Sequence, residues 1–310
     1  MLKSQATVSA ILVVLILLDL FVADVRYLWT DDYQKEQQWA GNFEPRPAEA
    51  FILENYSQGY YRVFPAMRDP FNDGSTPYHL KSIGGYNAAK IKRYQQLIEA
   101  HLSKLNFNVI NMLSTRFIIL DKAYGDPNLR VLHQASDGEV VHENVRNYGP
   151  AWLVQEVRVM DKPDDVLYSL DTVNSYFTAM IEKKDQAKLS STFSRDSIDS
   201  AAEQIRLTSA DNRLMVYEYN SPKSRFVTFS EVYYPKGWKA YIDGKEVDIL
   251  HTNFVLRGLV VPAGKHKIEF KYDPEILTTS ANWSRIASGL LLLLLAGAIF
   301  AEVRSRRKVA

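Results

Sequence analysis

A chain of 310 residues with 37 basic and 36 acidic side chains and no cysteine has no cationic surplus for nucleic acid, and no thiols for disulfides or thiolate chemistry. Its mean hydropathy of −0.21 is that of a water-compatible protein, and its length leaves room for more than one domain of ordinary size. The apolar residues are unevenly spread, however. Two runs, from about Ala6 to Ala23 and from about Ile286 to Val303, bracket an otherwise polar sequence. Each holds close to the ~20 residues a helix needs to cross a hydrocarbon core of ~30 Å.

The first run is expected to be a transmembrane helix over 6–23. A cleaved signal peptide is the other possibility, but the run exceeds the usual apolar core of such peptides and VADVRYLWT offers no small-x-small site. Asp19 lies inside it; the simple account places this carboxylate near the hydrated outer end, and the sharper one makes the helix part of a larger bundle. RPAEAFILENY then reads as a short helix opened by proline, and YYRVF as a strand. FNDGSTPYHLKSIGGYN, from Phe71 to Asn87, is a loop rich in turn formers. Ile91, Tyr94, Ile98, Leu102 and Leu105 recur at helical spacing, with Asn87 as the expected cap, and STRFIIL is a buried strand. Strand, helix, strand is an α/β arrangement, here assigned to 31–182. A second helix is expected from about Pro163 to Ile181, with Asp164 and Asp165 at its positive end.

After the polar stretch KKDQAKLSSTFSRDSIDSAAE, seven short strands follow: QIRLTS, RLMVYEY, RFVTFSEVYY, WKAYI, KEVDIL, FVLRGLVV and KHKIEFKY. Asp243-Gly244 and Ala263-Gly264 sit where hairpin turns belong, so 203–274 is expected to be an antiparallel β-sandwich. The second apolar run, 286–303, is followed by Arg304, Arg306, Arg307 and Lys308. The positive-inside bias puts this tail in the cytoplasm, and two spans put the Lys3 end there too. The expected protein is therefore α+β and anchored in the lipid bilayer of the cytoplasmic (inner) membrane. Two transmembrane helices flank an extracytoplasmic α/β domain and a C-terminal β-sandwich.

The blocks DVRYL, FNDGSTPYHLKSIGGYNAAKIKRYQQLIE, NMLSTRFIIL, YGPAWLV and FSEVYYPKGWKAYIDGKEVDILHTNFVLRGLVVPAGKHKIEFKYDP resemble the C-terminal part of the YfhO family of bacterial membrane proteins, most of all its long members from Bacteroidota. Members of that family have many membrane helices and are similar to GT-C glycosyltransferases, which use polyprenyl-phosphate-linked sugars outside the membrane. The resemblance implies that the catalytic carboxylates belong to an early external loop with no counterpart here. The chain would then be a fragment, or a subunit docked beside a many-helix transferase partner, and not an active enzyme alone. Its expected role is to cap or position a polyprenyl-phosphate sugar. The rival reading is a self-standing binding or structural module of the cell envelope.

No residue is expected to be catalytic and no cofactor is called for. The six histidines are scattered without metal-ligand spacing, and the acidic pairs Asp31/Asp32 and Asp164/Asp165 read as structural because adjacent acids point apart. Ligand contact is best sought in the Phe71–Asn87 loop and the helix after it. Asp73, His79, Lys81, Tyr86, Asn87 and Arg93 offer charges, hydrogen-bonding groups and a stacking ring suited to a sugar or phosphate, and Gly84-Gly85 permits close backbone approach. The plainer account is a tight glycine turn beside a solvated helix face. Trp238, Ala240 and Ile242 alternate toward a sandwich core, leaving Tyr233, Tyr234 and Tyr241 as surface contacts.

Overall fold

The computed structural model describes residues 2–29, 33, 35–41, 43–189 and 192–307. Two long apolar helices flank a β-rich body: α1 (Leu2–Tyr27) and α8 (Glu275–Arg307). Both contain a stretch long and apolar enough to cross a membrane, Thr7–Tyr27 and Thr279–Ala301. Between them come α2 (Glu36–Gly41), α3 (Pro47–Asn55), β1 (Arg62–Pro65), α4 (Ser75–His79), α5 (Lys92–Ala100), α6 (Phe107–Met112), β2 (Thr115–Leu120), β3 (Leu129–Gln134) and β4 (Val140–Asn144). The chain continues through β5 (Ala151–Val154), β6 (Glu156–Met160), α7 (Pro163–Ser169), β7 (Thr178–Glu182), β8 (Gln204–Ala210), β9 (Leu214–Ser221) and β10 (Arg225–Val232). It closes with β11 (Trp238–Ile242), β12 (Lys245–Val247), β13 (Leu250–Thr252), β14 (Leu256–Val261) and β15 (Gly264–Tyr272).

The strands form three sheets, ordered β1-β2-β4-β3, β5-β10-β14-β13-β7-β6 and β12-β11-β15-β9-β8. In the six-stranded sheet the terminal strands β5 and β6 are separated in sequence by Gln155 alone, so the sheet curls back on itself. Its one face meets the five-stranded sheet: Leu153, Val227, Phe229 and Leu259 pack with Tyr217, Ala240, Ile268 and Phe270 in a closed core. Its other face meets α5, α6, α7 and the four-stranded sheet through Trp152, Phe226, Leu256, Leu97, Val109, Val166 and Ile118. A further core, with Ile52, Val63, Phe117 and Val141, seats α3 on the far side of the four-stranded sheet.

The helix α3, strands β1 and β2 and the strand-rich character of the C-terminal part match expectation. At Asp243-Gly244 both residues have positive φ, 51° and 82°, and Ile242 pairs with Lys245 across the turn. Four readings change. The helix expected from 163 to 181 stops at Ser169, and 178–182 form β7, parallel to β6 and buried along its whole length. A strand buried on both faces has no polar alternation to betray it, and the spacing of Val166, Leu170, Val173 and Phe177 imitated a helix. Asn87 does not cap α5; its side chain accepts the Ala89 N–H at 2.8 Å, and Ile91 is the cap. KEVDIL divides into β12 and β13, which lie in different sheets. The boundary drawn between 182 and 203 also crosses the six-stranded sheet, which combines β5, β6 and β7 with β10, β13 and β14.

Candidate functional site

The Phe71–Asn87 loop folds on itself before it offers anything to a ligand. Asp73 accepts the Ser75 N–H at 2.9 Å and its hydroxyl at 2.6 Å, and lies 3.5 Å from Arg46. Burial alone would raise its pKa, but these hydrogen bonds and the arginine bring it below the usual value. The His79 ring lies edge-on to Tyr78 at 4.9 Å. A Cβ on Gly84 would stand 2.0 Å from the Pro70 carbonyl oxygen, and the Gly85 N–H donates to that oxygen at 2.6 Å. The glycine pair thus serves an approach within the chain. Tyr86 is 67% exposed.

Arg93 points elsewhere, into an ion pair with Glu182, whose other oxygen takes Lys184 at 2.8 Å. Beside them His251, buried and stacked on Tyr233 at 4.4 Å, has a pKa lowered to about 4 by burial and then by the Arg93 charge, so its ring is neutral. Tyr233 is thereby spent on His251. Tyr234 is 39% exposed, and Lys271 stands over the Tyr241 ring at 4.9 Å. Asp164 and Asp165 occupy the first turn of α7, where Asp165 accepts the Lys162 N–H at 3.0 Å. Asp31 and Asp32 lie outside the described residues.

Lys81 leads to another charged constellation. Its ammonium lies 3.9 Å from the Tyr60 ring centroid, and burial lowers its pKa. The Tyr60 hydroxyl donates to Glu231 at 2.6 Å, and Arg62 donates to the same oxygen at 2.6 Å. Arg62 also donates to the carbonyls of Leu113 at 2.8 Å and Ser230 at 3.1 Å, pinning β1 to β10 and so one sheet to the next. Burial works to raise the Glu231 pKa, but Arg62, Tyr60 and Arg257 together hold it low, and the carboxylate stays ionised. Arg257 is 3% exposed. Its Nε donates to the Val232 carbonyl at 3.1 Å, its guanidinium lies 4.2 Å from the Trp238 ring, and its Nη1 is buried without a hydrogen-bond partner. Arg62 is thus ion-paired with Glu231, while Arg257 and Lys81 stand within the reach of its charge. Such an arrangement tolerates an anion and repels a further cation.

A second buried arginine is fully matched. Arg225 donates to both oxygens of Glu203, at 2.6 and 2.5 Å, and to the carbonyls of Ser194, Asp196 and Ser197. Glu203, held by these bonds and by Ser221, has its pKa lowered to about 2. The pair fastens the stretch before β8 to β10. Sequence reading passed over Tyr60, Arg62, Glu231, Arg257, Arg225 and Glu203 because their partners are separated by up to 171 residues. The available signal was the arginine inside each apolar strand, in YYRVF, RFVTF and FVLRGLVV, since a charge in such a run needs a buried partner.

Searches of curated proteins and of solved structures gave no match. Residues 187–283, which hold all of β8 to β15 and the start of α8, match the family described as bacterial membrane protein YfhO. The C-terminal part of the chain is thus similar to that family of membrane proteins, and a helix long and apolar enough to cross a membrane stands at either end.

Proposed function

We propose that the chain is the extracytoplasmic part of a membrane assembly in which the β-rich body stands on the bilayer and positions substrate for a polyprenyl-phosphate-sugar-dependent glycosyl transfer. The transfer itself is assigned to other membrane helices. The observation that carries this reading is the state of the two apolar helices. Side chains from Val8 to Val22 are 53–61% exposed, and those from Leu290 to Leu295 are 54–74% exposed. Helices apolar all round find no cover within the chain, so lipid or further helices must supply it. Asp19 in α1 is the polar group that a neighbouring helix would receive.

The absence of cysteine makes the topology directly testable. Single cysteines placed at Lys245, the exposed first residue of β12, and at Ala310 are treated with a membrane-impermeant maleimide on intact cells. Lys245→Cys should label and Ala310→Cys should label only after lysis; the reverse pattern sinks the orientation. Affinity purification in mild detergent should then bring down a polytopic membrane protein, and a chain that purifies alone after cross-linking would sink the assembly.

A further inference from the structure

Away from the charged constellation, two adjoining hollows share the Tyr148 side chain. The larger, of about 640 Å³, is lined by Trp152, Gln155, Tyr176, Phe177 and Gln204 among others. The smaller, of about 300 Å³, runs on past Asn108, Thr172 and Asn174. Together they fall within the size range of small-molecule sites, ~300–1,000 Å³.

The rings here are both exposed and held. Tyr176 is 43% and Phe177 45% exposed, which is costly for neighbouring aromatic side chains with no partner to cover them. Yet Tyr148 contacts both Trp152 and Tyr176 at 5.1 Å between centroids, and Tyr176 contacts Phe177 at 5.1 Å. Their backbone is fixed as well. The Asn174 side chain accepts the Tyr176 N–H at 3.0 Å, and the Phe177 carbonyl accepts the N–H groups of Gln155 and Glu156 at 2.9 and 3.1 Å. The Tyr148 hydroxyl, raised to about 12 chiefly by burial, stays protonated and donates to Asn108 at 3.1 Å. A rigid aromatic shelf is thus bordered by neutral amides and hydroxyls.

That combination selects among ligands. The charged side chains bordering the hollows are already matched: Arg206 pairs with Glu218, Asp171 with His101 and Asn106, and Glu203 with Arg225. Among the described residues that line the hollows, the one cation, Arg206, already has an acidic partner. An apolar peptide would strand the amides. A ligand with apolar C–H faces and a rim of hydroxyls satisfies both halves, because its C–H groups meet the electron-rich ring faces while its hydroxyls meet Gln155, Gln204 and Asn174. We propose that this groove binds an oligosaccharide, with Tyr176 and Phe177 as its stacking platform. The proposal shares with the reading above the premise that the domain faces the sugars outside the membrane. It needs no transferase partner, so saccharide binding by a chain that purifies alone would keep this proposal and sink that one.

The test uses the full chain in phosphatidylcholine nanodiscs, free of sugar-headed detergents. Saturation-transfer NMR is recorded against cellotetraose, maltotetraose, chitotetraose and mannotetraose, with inorganic phosphate as the competing probe. At least one tetrasaccharide should receive magnetisation on its ring C–H protons, and Tyr176→Ala and Phe177→Ala should each weaken binding roughly tenfold. Tyr176→Phe keeps the ring and should keep the binding, which separates lost stacking from lost folding. Silence from all four sugars, signals unchanged in both alanine variants, or displacement of the sugar by phosphate would overturn the proposal.

Discussion

Two buried arginines lie on neighbouring strands and lead opposite lives. Arg225, on β10, has every nitrogen bonded and a carboxylate matched to it oxygen for oxygen. Arg257, on β14, feels the charge of Glu231, which is ion-paired with Arg62 instead; it rests on Trp238 and keeps Nη1 without a hydrogen-bond partner. Burial costs both guanidinium groups their water, and only the first recovers the loss through geometry. The matched pair is therefore a fastening, and the unmatched one is a charge retained against the interests of stability.

The largest test removes the fastening. Glu203→Gln leaves Arg225 charged and buried, and should cost ~3–5 kcal/mol, seen as a fall in the thermal midpoint of the detergent-solubilised chain. It should also expose the stretch from 192 to 203 to protease; a midpoint within a degree of the parent would break the contrast.

Next comes acidification. Glu203 and His251 both have folded pKa values below their unfolded ones, at about 2 and about 4. For each the unfolded chain binds the proton more readily, so stability is complete above the unfolded pKa and is lost as the pH falls toward the folded one. The His251 phase therefore runs from about pH 6.5 down to 4, and the Glu203 phase from about 4.5 down to 2, each worth roughly 3 kcal/mol when complete. Thermal midpoints recorded against pH should lose the upper phase in His251→Gln and the lower one in Glu203→Gln.

Arg257→Met sharpens the comparison from the other side. Replacing an imperfectly paired buried charge by an apolar chain of similar length should change stability by less than ~1 kcal/mol, or raise it, whereas Arg225→Met should lower it by several. Equal losses from the two would mean that Arg257 is matched after all.

The smallest expected effect is that of Lys81→Ala. The residue is exposed as a whole while its ammonium stands partly desolvated over the Tyr60 ring, a contact worth ~0.5–1 kcal/mol at exposed sites. Arg93→Ala, by contrast, takes from the buried Glu182 one of its two cationic partners and should cost more. A double variant whose loss departs from the sum of the two single losses by more than ~0.5 kcal/mol would couple the two positions and overturn their separation.

These contrasts show where sequence reading reaches and where it stops. The strands β8, β9, β11 and β15 are legible because one face packs and the other is more open, β10 and β14 because β-branched and aromatic residues run between turn signals, and the long apolar helices because nothing polar interrupts them for long. Local pattern predicts no strands from 129 to 160, where β3 to β6 lie, and a helix where β7 runs. β4, β5 and β7 are buried from end to end, which erases alternation. The six proposed contact residues shared a neighbourhood in sequence, yet Lys81 turns to Tyr60 and Arg93 to Glu182. Tyr176 and Phe177 had been absorbed into a helix that ends before them, so no local pattern could have placed them beside Tyr148.

The joint between β15 and α8 is only Asp273 and Pro274. It is tied down: the Asp273 N–H donates to the Gly237 carbonyl at 2.7 Å, and a Cβ on Gly237 would collide with Tyr272 and Pro274 at 2.8 and 2.9 Å. A linkage this short and this crowded cannot act as a swivel. Whatever sets the tilt of α8, whether bilayer thickness or the grip of adjacent helices, is passed to the five-stranded sheet as rotation. The surroundings of α8 thus help to set the pitch at which the folded body is held.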